Sequence, residues 1–173
     1  PTATPGGGSA SAAAGAMAAA LAAMVAGMSR GKKNYLQYER ELSDALARLS
    51  TLREEFKAAI DADAASYEAV MKAYKQAKST TSADGDGLIA DALKGATDVP
   101  LGVAERSREV AQIVESLKPI TNPKMASDLT VSAALAQAAL SGALANVEIN
   151  LPDLNDAAFV EQARNRIAEL KAQ

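Results

Sequence analysis

Hydrophobic and polar positions along this chain recur at helical spacings. From Leu42 the apolar positions run Leu42, Leu46, Leu49, Leu52, Phe56, Ile60, Tyr67, Val70 and Tyr74. These steps predict one long helix over about residues 33–78 with a single inward face. Between Ile60 and Tyr67 the next slot on that face is Asp63, which turns a carboxylate toward the core. Asp61 lies roughly 200° away around the helix and nearer solvent. Residues 5–28, PGGGSASAAAGAMAAALAAMVAGM, differ in kind: three glycines lead into alanine and other small residues, with no charge before Arg30. So smooth a helix admits close neighbours on several sides and predicts the central rod of a bundle. Its glycines and Ser9 leave free N–H groups at the start, where the helix dipole favours a polar or anionic ligand.

Turn chemistry follows the long helix: Ser79, Thr80, Thr81, Ser82 and the DGDG of residues 84–87 predict a loop. A third helix is expected over about residues 88–118, kinked or divided near Pro100. Pro119 and Pro123 bracket another loop. Ser127 or Asp128 can cap a fourth helix, whose body over residues 129–150 is again small and apolar and ends at Leu151-Pro152. Asn155 or Asp156 can start a last helix with Phe159, Ala163, Ile167 and Leu170 on one side. No repeat at a solenoid period appears. The expectation is an all-α, antiparallel up-down helical bundle, one domain over residues 1–173, built around the Ala/Gly-rich helix.

Composition narrows the chemistry. Hydrophobic residues make up 49% of the chain but aromatic ones only 3%, so the core is aliphatic and small. That suits close-packed helices better than a sandwich or barrel. A net charge of −3 and a pI near 5.1 argue against nucleic acid as a partner. There is no cysteine, hence no disulfide or thiolate chemistry. There is no histidine either, which removes Ser-His-Asp and Cys-His mechanisms and most zinc sites. Proton transfers then fall to Asp, Glu, Lys, Tyr or water. The alanine run approaches the roughly 20 residues that span a bilayer. It lacks the Leu/Ile/Phe content and aromatic belts of a span, so a buried soluble helix and no membrane are expected. No basic region precedes it as in a secretory signal, and a cytoplasmic location is the default. The glycines fit neither GxxxxGK[ST] nor a Rossmann turn.

Five features could carry chemistry, each with a structural alternative. Burial would raise the pKa of Asp63 toward a range useful for acid/base work, or the residue could form a buried salt bridge or cap a neighbouring helix. Asp128 is explained by an N-cap. Asn146 and Asn150 share a helix face, where their amides could grip a polar heterocycle or bond nearby carbonyls. Arg30-Gly31-Lys32-Lys33 reads as a glycine stop with dipole-complementing cations, or with Lys75 and Lys78 as an attractor for an acidic tail. Tyr67 and Tyr74 read as packing residues.

Taken in order, TPGGGSASAAAGAMAAALAAMV, GKKNY, DADAASYEAVMKAYKQAK, ATDVPL and SDLTVSAALAQAALSGALANVEINLPDLND resemble the cyclodeaminase/cyclohydrolase family of tetrahydrofolate enzymes. The resemblance covers nearly the whole chain. It implies a homodimeric helical bundle acting on a tetrahydrofolate-type small molecule, with no metal and no cofactor beyond that substrate. It also implies Asp63 and Asp128 as an acid/base and cation-stabilising pair. Gly7, Gly8 and Ser9 would line the pocket with Tyr67. Asn122, Asn146 and Asn150 would bind the pterin or its amides, and Lys32, Lys33 and Lys78 would meet the glutamate tail. The expected reaction is formimidoyltetrahydrofolate cyclodeamination. The alternatives are methenyltetrahydrofolate cyclohydrolysis or a non-catalytic folate-binding dimer.

Overall fold

A computed structural model of the chain describes residues 5–79 and 82–172. The elements are α1 (Gly7–Ser29), a 3₁₀ segment Lys33–Tyr38, α2 (Glu39–Ala77), α3 (Ser82–Leu117), α4 (Ala126–Asn150) and α5 (Ala157–Ala172), with short 3₁₀ turns before and after α4. No strand occurs among the described residues. Side-chain pairings fix an up-down course. α1 meets α2 through Ser9/Asp63 and Gly15/Phe56, and meets α4 through Ser11/Gly142 and Ala18/Ser132, so it runs antiparallel to both. α2 meets α3 through Arg48/Glu109 and Glu55/Arg106, again antiparallel. α5 rides alongside α3 in parallel, joined by Lys94/Asp156, Glu105/Arg166 and Arg108 to the Leu170 carbonyl.

The alanine helix is the rod the composition predicts. Its buried face, from Ala12 through Ala18, Ala19 and Ala22 to Ala26, packs against the leucine face of α2 and the small face of α4. A methyl group on Gly15 would come within 2.4 Å of the Phe56 ring. Glycine there is a condition of the α1–α2 approach. α1 and the stretch around α4 are long and apolar enough to cross a membrane by length and composition alone, and each packs one side into this bundle.

Local structure departs from the sequence reading at four points. The long helix does not begin at Lys33: Gly31 sits at φ +68°, and Lys33–Tyr38 is a 3₁₀ segment before α2 proper. The loop expected through the DGDG of residues 84–87 is instead the first turns of α3, with residues 80 and 81 outside the described part. Gly85 serves packing there, its α-carbon facing Ala77 so closely that a Cβ would lie 3.0 Å from the Ala77 methyl. Pro100 does not divide α3. Neither Ser127 nor Asp128 caps α4, whose N-cap residue is Met125; Asp128 lies in the first turn, where the dipole favours an acid. The start of α5 follows expectation, with Asp156 Oδ1 accepting the Phe159 N–H at 3.1 Å.

Candidate active site

The first turn of α1 leaves the N–H groups of Gly7, Gly8 and Ser9 without helical acceptors, since the first intrahelical bond runs from Ala10 N to Gly6 O. Asp63, reaching across from α2, answers one of them. The Ser9 N–H donates to Asp63 Oδ2 at 2.7 Å, and the Ser9 hydroxyl reaches the same oxygen at 2.8 Å. Ser9 Oγ also stands 3.2 Å from the Ile60 carbonyl. A hydroxyl has one proton, and the shorter contact to the carboxylate is the better use of it. Asp63 therefore caps a neighbouring helix, one of the roles its position on the apolar face allowed. It does so with one oxygen only. The other, Oδ1, lies over Gly8, where a Cβ would come within 2.0 Å of it. Gly8 is the condition for the carboxylate's position.

Beside this contact is a cavity of about 270 Å³. Asp63, Tyr67 and Tyr74 form its α2 wall, Gly6–Gly8 its floor, Leu93 and Ala96 its α3 side, and Asn146, Asn150 and Asp153 its α4 side. Tyr67 and Tyr74, at 44% and 42% exposure, present their rings to this cavity rather than to the core, a correction to their reading as packing residues. Asn146 donates to the Gly142 carbonyl at 2.7 Å and lies against Gly7. Asn150 has a role set by a proline. Pro100 has no N–H, so the Ala96 carbonyl four residues earlier loses its helical donor. The Asn150 amide donates to that oxygen at 3.0 Å. The two asparagines thus bond carbonyls, not each other, while facing the cavity.

The structure gathers Gly7, Gly8, Ser9, Asp63, Tyr67, Asn146 and Asn150 at one place, with Ser9 buried behind Asp63. Lys78 is exposed one helical turn beyond Tyr74 on the same face of α2. Lys32, Lys33 and Asn122 lie elsewhere, around a cavity of about 400 Å³ by the C-terminal end of α1. Asn122 caps a 3₁₀ turn there, accepting from Lys124 N at 3.1 Å. Asp128 is 18 residues before Asn146 on α4, about 27 Å along the helix. Within one chain, then, Asp63 and Asp128 do not form a pair, because antiparallel helices put their positions at opposite ends. Sequence reasoning missed Asp153 as a cavity residue. Its signal was a second acid just past the proline that stops the fourth helix. Among the described residues no group of three carboxylates is placed to hold a metal ion.

With this geometry in view, comparison with known proteins is decisive. A family model described as formiminotransferase-cyclodeaminase matches residues 1–169. The chain belongs to that family. It is 38% identical over 172 residues to a methenyltetrahydrofolate cyclohydrolase of Methylorubrum extorquens, covering 98% of this chain and 83% of that protein. It is 33% identical to a formimidoyltransferase-cyclodeaminase of Gallus gallus, again over 98% of this chain but only 32% of the longer protein. The crystal structure of a formiminotetrahydrofolate cyclodeaminase from Thermotoga maritima matches with a TM-score of 0.90 at 34% identity, over 99% of this chain and 82% of that one. The family and the helical fold read from the residues are thereby established.

Proposed function

We propose that the Asp63 cavity binds a tetrahydrofolate carrying a cationic one-carbon unit at N5 or N5/N10, and that the chain is an enzyme of the cyclodeaminase/cyclohydrolase type. The observation that carries this is the Asp63 carboxylate on the cavity wall, held by Ser9 through Oδ2, while Oδ1 lies over Gly8 and takes no hydrogen bond among the described residues. Among the described residues no lysine or arginine lines that cavity. The electrophile is already an amidinium, so no protein nucleophile is needed, in keeping with a chain that has neither cysteine nor histidine.

Identity favours the cyclohydrolase reaction, since the 38% relative carries that name and is covered over 83% of its length. Water adds to the bridging carbon of 5,10-methenyltetrahydrofolate, and Asp63 takes its proton. The C–N5 bond then breaks, N5 is protonated, and 10-formyltetrahydrofolate leaves with release of one proton overall. The cyclodeaminase reading is supported by the name and the 0.90 TM-score of the Thermotoga maritima structure. There N10 attacks the formimino carbon, its proton passes to the departing nitrogen, and ammonia is expelled. In that reaction Asp63 would relay the N10 proton to the departing nitrogen, and in both it would stabilise the cationic carbon.

The proposal includes a second copy of the chain. α1 has no charged residue and exposes Met17, Met24 and Met28 along one face, with Val131 exposed on the adjacent α4. An antiparallel pair along this face would bring the Lys32/Lys33 end of one copy, with Asn122 and Asp128, toward the Asp63 end of the other.

One sample assayed in parallel with 5-formimino- and 5,10-methenyltetrahydrofolate, reading ammonia and 10-formyl product, decides between the reactions. Asp63→Asn should lower kcat by about 10²–10⁴-fold with the helical fold intact. Near-normal turnover in that variant defeats the assignment.

A further inference from the structure

The cavity has a second carboxylate for which the structure provides no other employment. Asp153 lines it opposite the α2 wall. No hydrogen bond or salt bridge among the described residues engages its side chain. The cap of α5 is provided three residues later by Asp156, which also holds Lys94 at 2.8 Å. Lys94, one residue from the cavity-lining Leu93, pairs with Asp156 and is not among the residues that line the cavity. The position also runs against helix electrostatics. Asp153 ends the 3₁₀ turn Leu151–Asp153 that continues α4, at the end of a helix whose dipole disfavours an anion. The turn itself is fixed: Leu151 and Leu154 are both buried, and Leu154 N donates to Leu151 O at 3.3 Å. An unpaired acid is therefore carried on a buried-anchored turn into a cavity that already contains Asp63 and, among the described residues, no cationic side chain.

We infer that Asp153 is the specificity-determining residue that makes this cavity select a positively charged one-carbon unit over a neutral one. The inference rests on the folate reading above. Asp63 supplies the base and its fixed geometry. Asp153 supplies a second negative charge that the amidinium neutralises on binding, which a neutral formamide at N5 cannot do. Asp63 alone faces the ligand with one oxygen engaged by Ser9; the second carboxylate doubles the formal charge facing the cation.

The test compares wild type, Asp153→Asn and Asp153→Glu. For each, kcat/KM is measured with cationic 5,10-methenyltetrahydrofolate, and Ki with 5-formyltetrahydrofolate, whose one-carbon group is uncharged. Asp153→Asn should lose roughly tenfold in kcat/KM for the cation, chiefly through KM, while Ki for the neutral folate stays within about twofold. Asp153→Glu should restore most of the loss. The residue is exposed, so both variants should keep the wild-type melting temperature. Equal losses for both folates would mark a packing role and overturn the inference, as would no loss for either. If the wild type neither turns over nor binds either folate, the folate reading falls and this inference with it. Binding without charge dependence sinks this inference alone.

Discussion

The two ends of α1 face cavities of opposite charge. Among the described residues, Asp63 and Asp153 line a space with no lysine or arginine at its start; by its end Lys32, Lys33 and Lys124 line one with no acid. Twenty-two residues separate Gly7 from Ser29, or about 33 Å of helix. The difference shows where chemistry can be built on an otherwise featureless rod. At the start, unsatisfied N–H groups and a missing Cβ fix where a carboxylate sits. At the end, the lysines are exposed and hold no ion pair among the described residues, so they can attract an anion but position nothing.

The sharpest way to break this contrast is to fill the space under the carboxylate. A Cβ at Gly8 would sit 2.0 Å from Asp63 Oδ1, so Gly8→Ala must displace the carboxyl. Turnover should fall about 10²–10³-fold, the scale of an ångström-level misplacement of a catalytic group. The carboxylate is still present, so position alone is tested. A Gly8→Ala enzyme with wild-type kcat would mean that the geometry at this end is incidental.

Gly15→Ala separates placement from packing. Its Cβ would meet the Phe56 ring at 2.4 Å, midway along the α1–α2 contact and away from both cavities. Overpacking of this kind costs about 1–3 kcal/mol, read from denaturant unfolding. Per folded molecule, activity should survive. If Gly15→Ala loses turnover as Gly8→Ala does, the activity loss reports helix spacing in general rather than Asp63 in particular.

Much of this was legible before the fold was known, and the misses have definite causes. The alanine run announced a central helix, and the interruption of the α2 stripe at Asp63 located the carboxylate. The DGDG of residues 84–87 misled because glycine and aspartate signal a turn locally, whereas here Gly85 permits close contact with Ala77 and Asp84 suits a helix N-terminus. Pro100 misled because the broken bond is mended by Asn150 from another helix, which no local rule can see. Asp128, Lys32, Lys33 and Asn122 were grouped with Asp63 by motif order. Antiparallel topology puts them at the other end of the same chain, and whether a second copy reunites them is a question of assembly. Asp153 was passed over because the proline before it reads simply as a stop.

The assembly question can be put directly to the basic end. If a partner's lysines meet the glutamate tail beside the Asp63 cavity, Lys32→Glu with Lys33→Glu should raise KM for a polyglutamylated folate about tenfold. The effect on a monoglutamate should be smaller and kcat should be unchanged. Sedimentation at the assay concentration should show a dimer. A monomer with full activity, or equal KM for both folates in the double variant, would leave the two ends independent.

The smallest expected effect concerns the anchor beneath the acidic end. The Lys94 ammonium, with the Phe159 N–H, holds Asp156 below its ordinary carboxylate range, and Asp156 in turn raises Lys94 above its own. A lowered carboxylate pKa stabilises the fold above the unfolded-state value, 3.8 for an ordinary aspartate, and the contribution is lost as pH falls through the folded-state value. A raised lysine pKa acts in the opposite sense, its contribution present below 10.5 and lost as pH climbs past that. Both groups are solvent-accessible, so screening keeps the effect small. Asp156→Asn should therefore lower the melting temperature slightly at neutral pH, and the gap from wild type should close under acid conditions. Asparagine keeps the oxygen that accepts the Phe159 N–H, so a gap that persists when wild-type Asp156 is protonated would show that the Lys94 pair is not what the substitution removes.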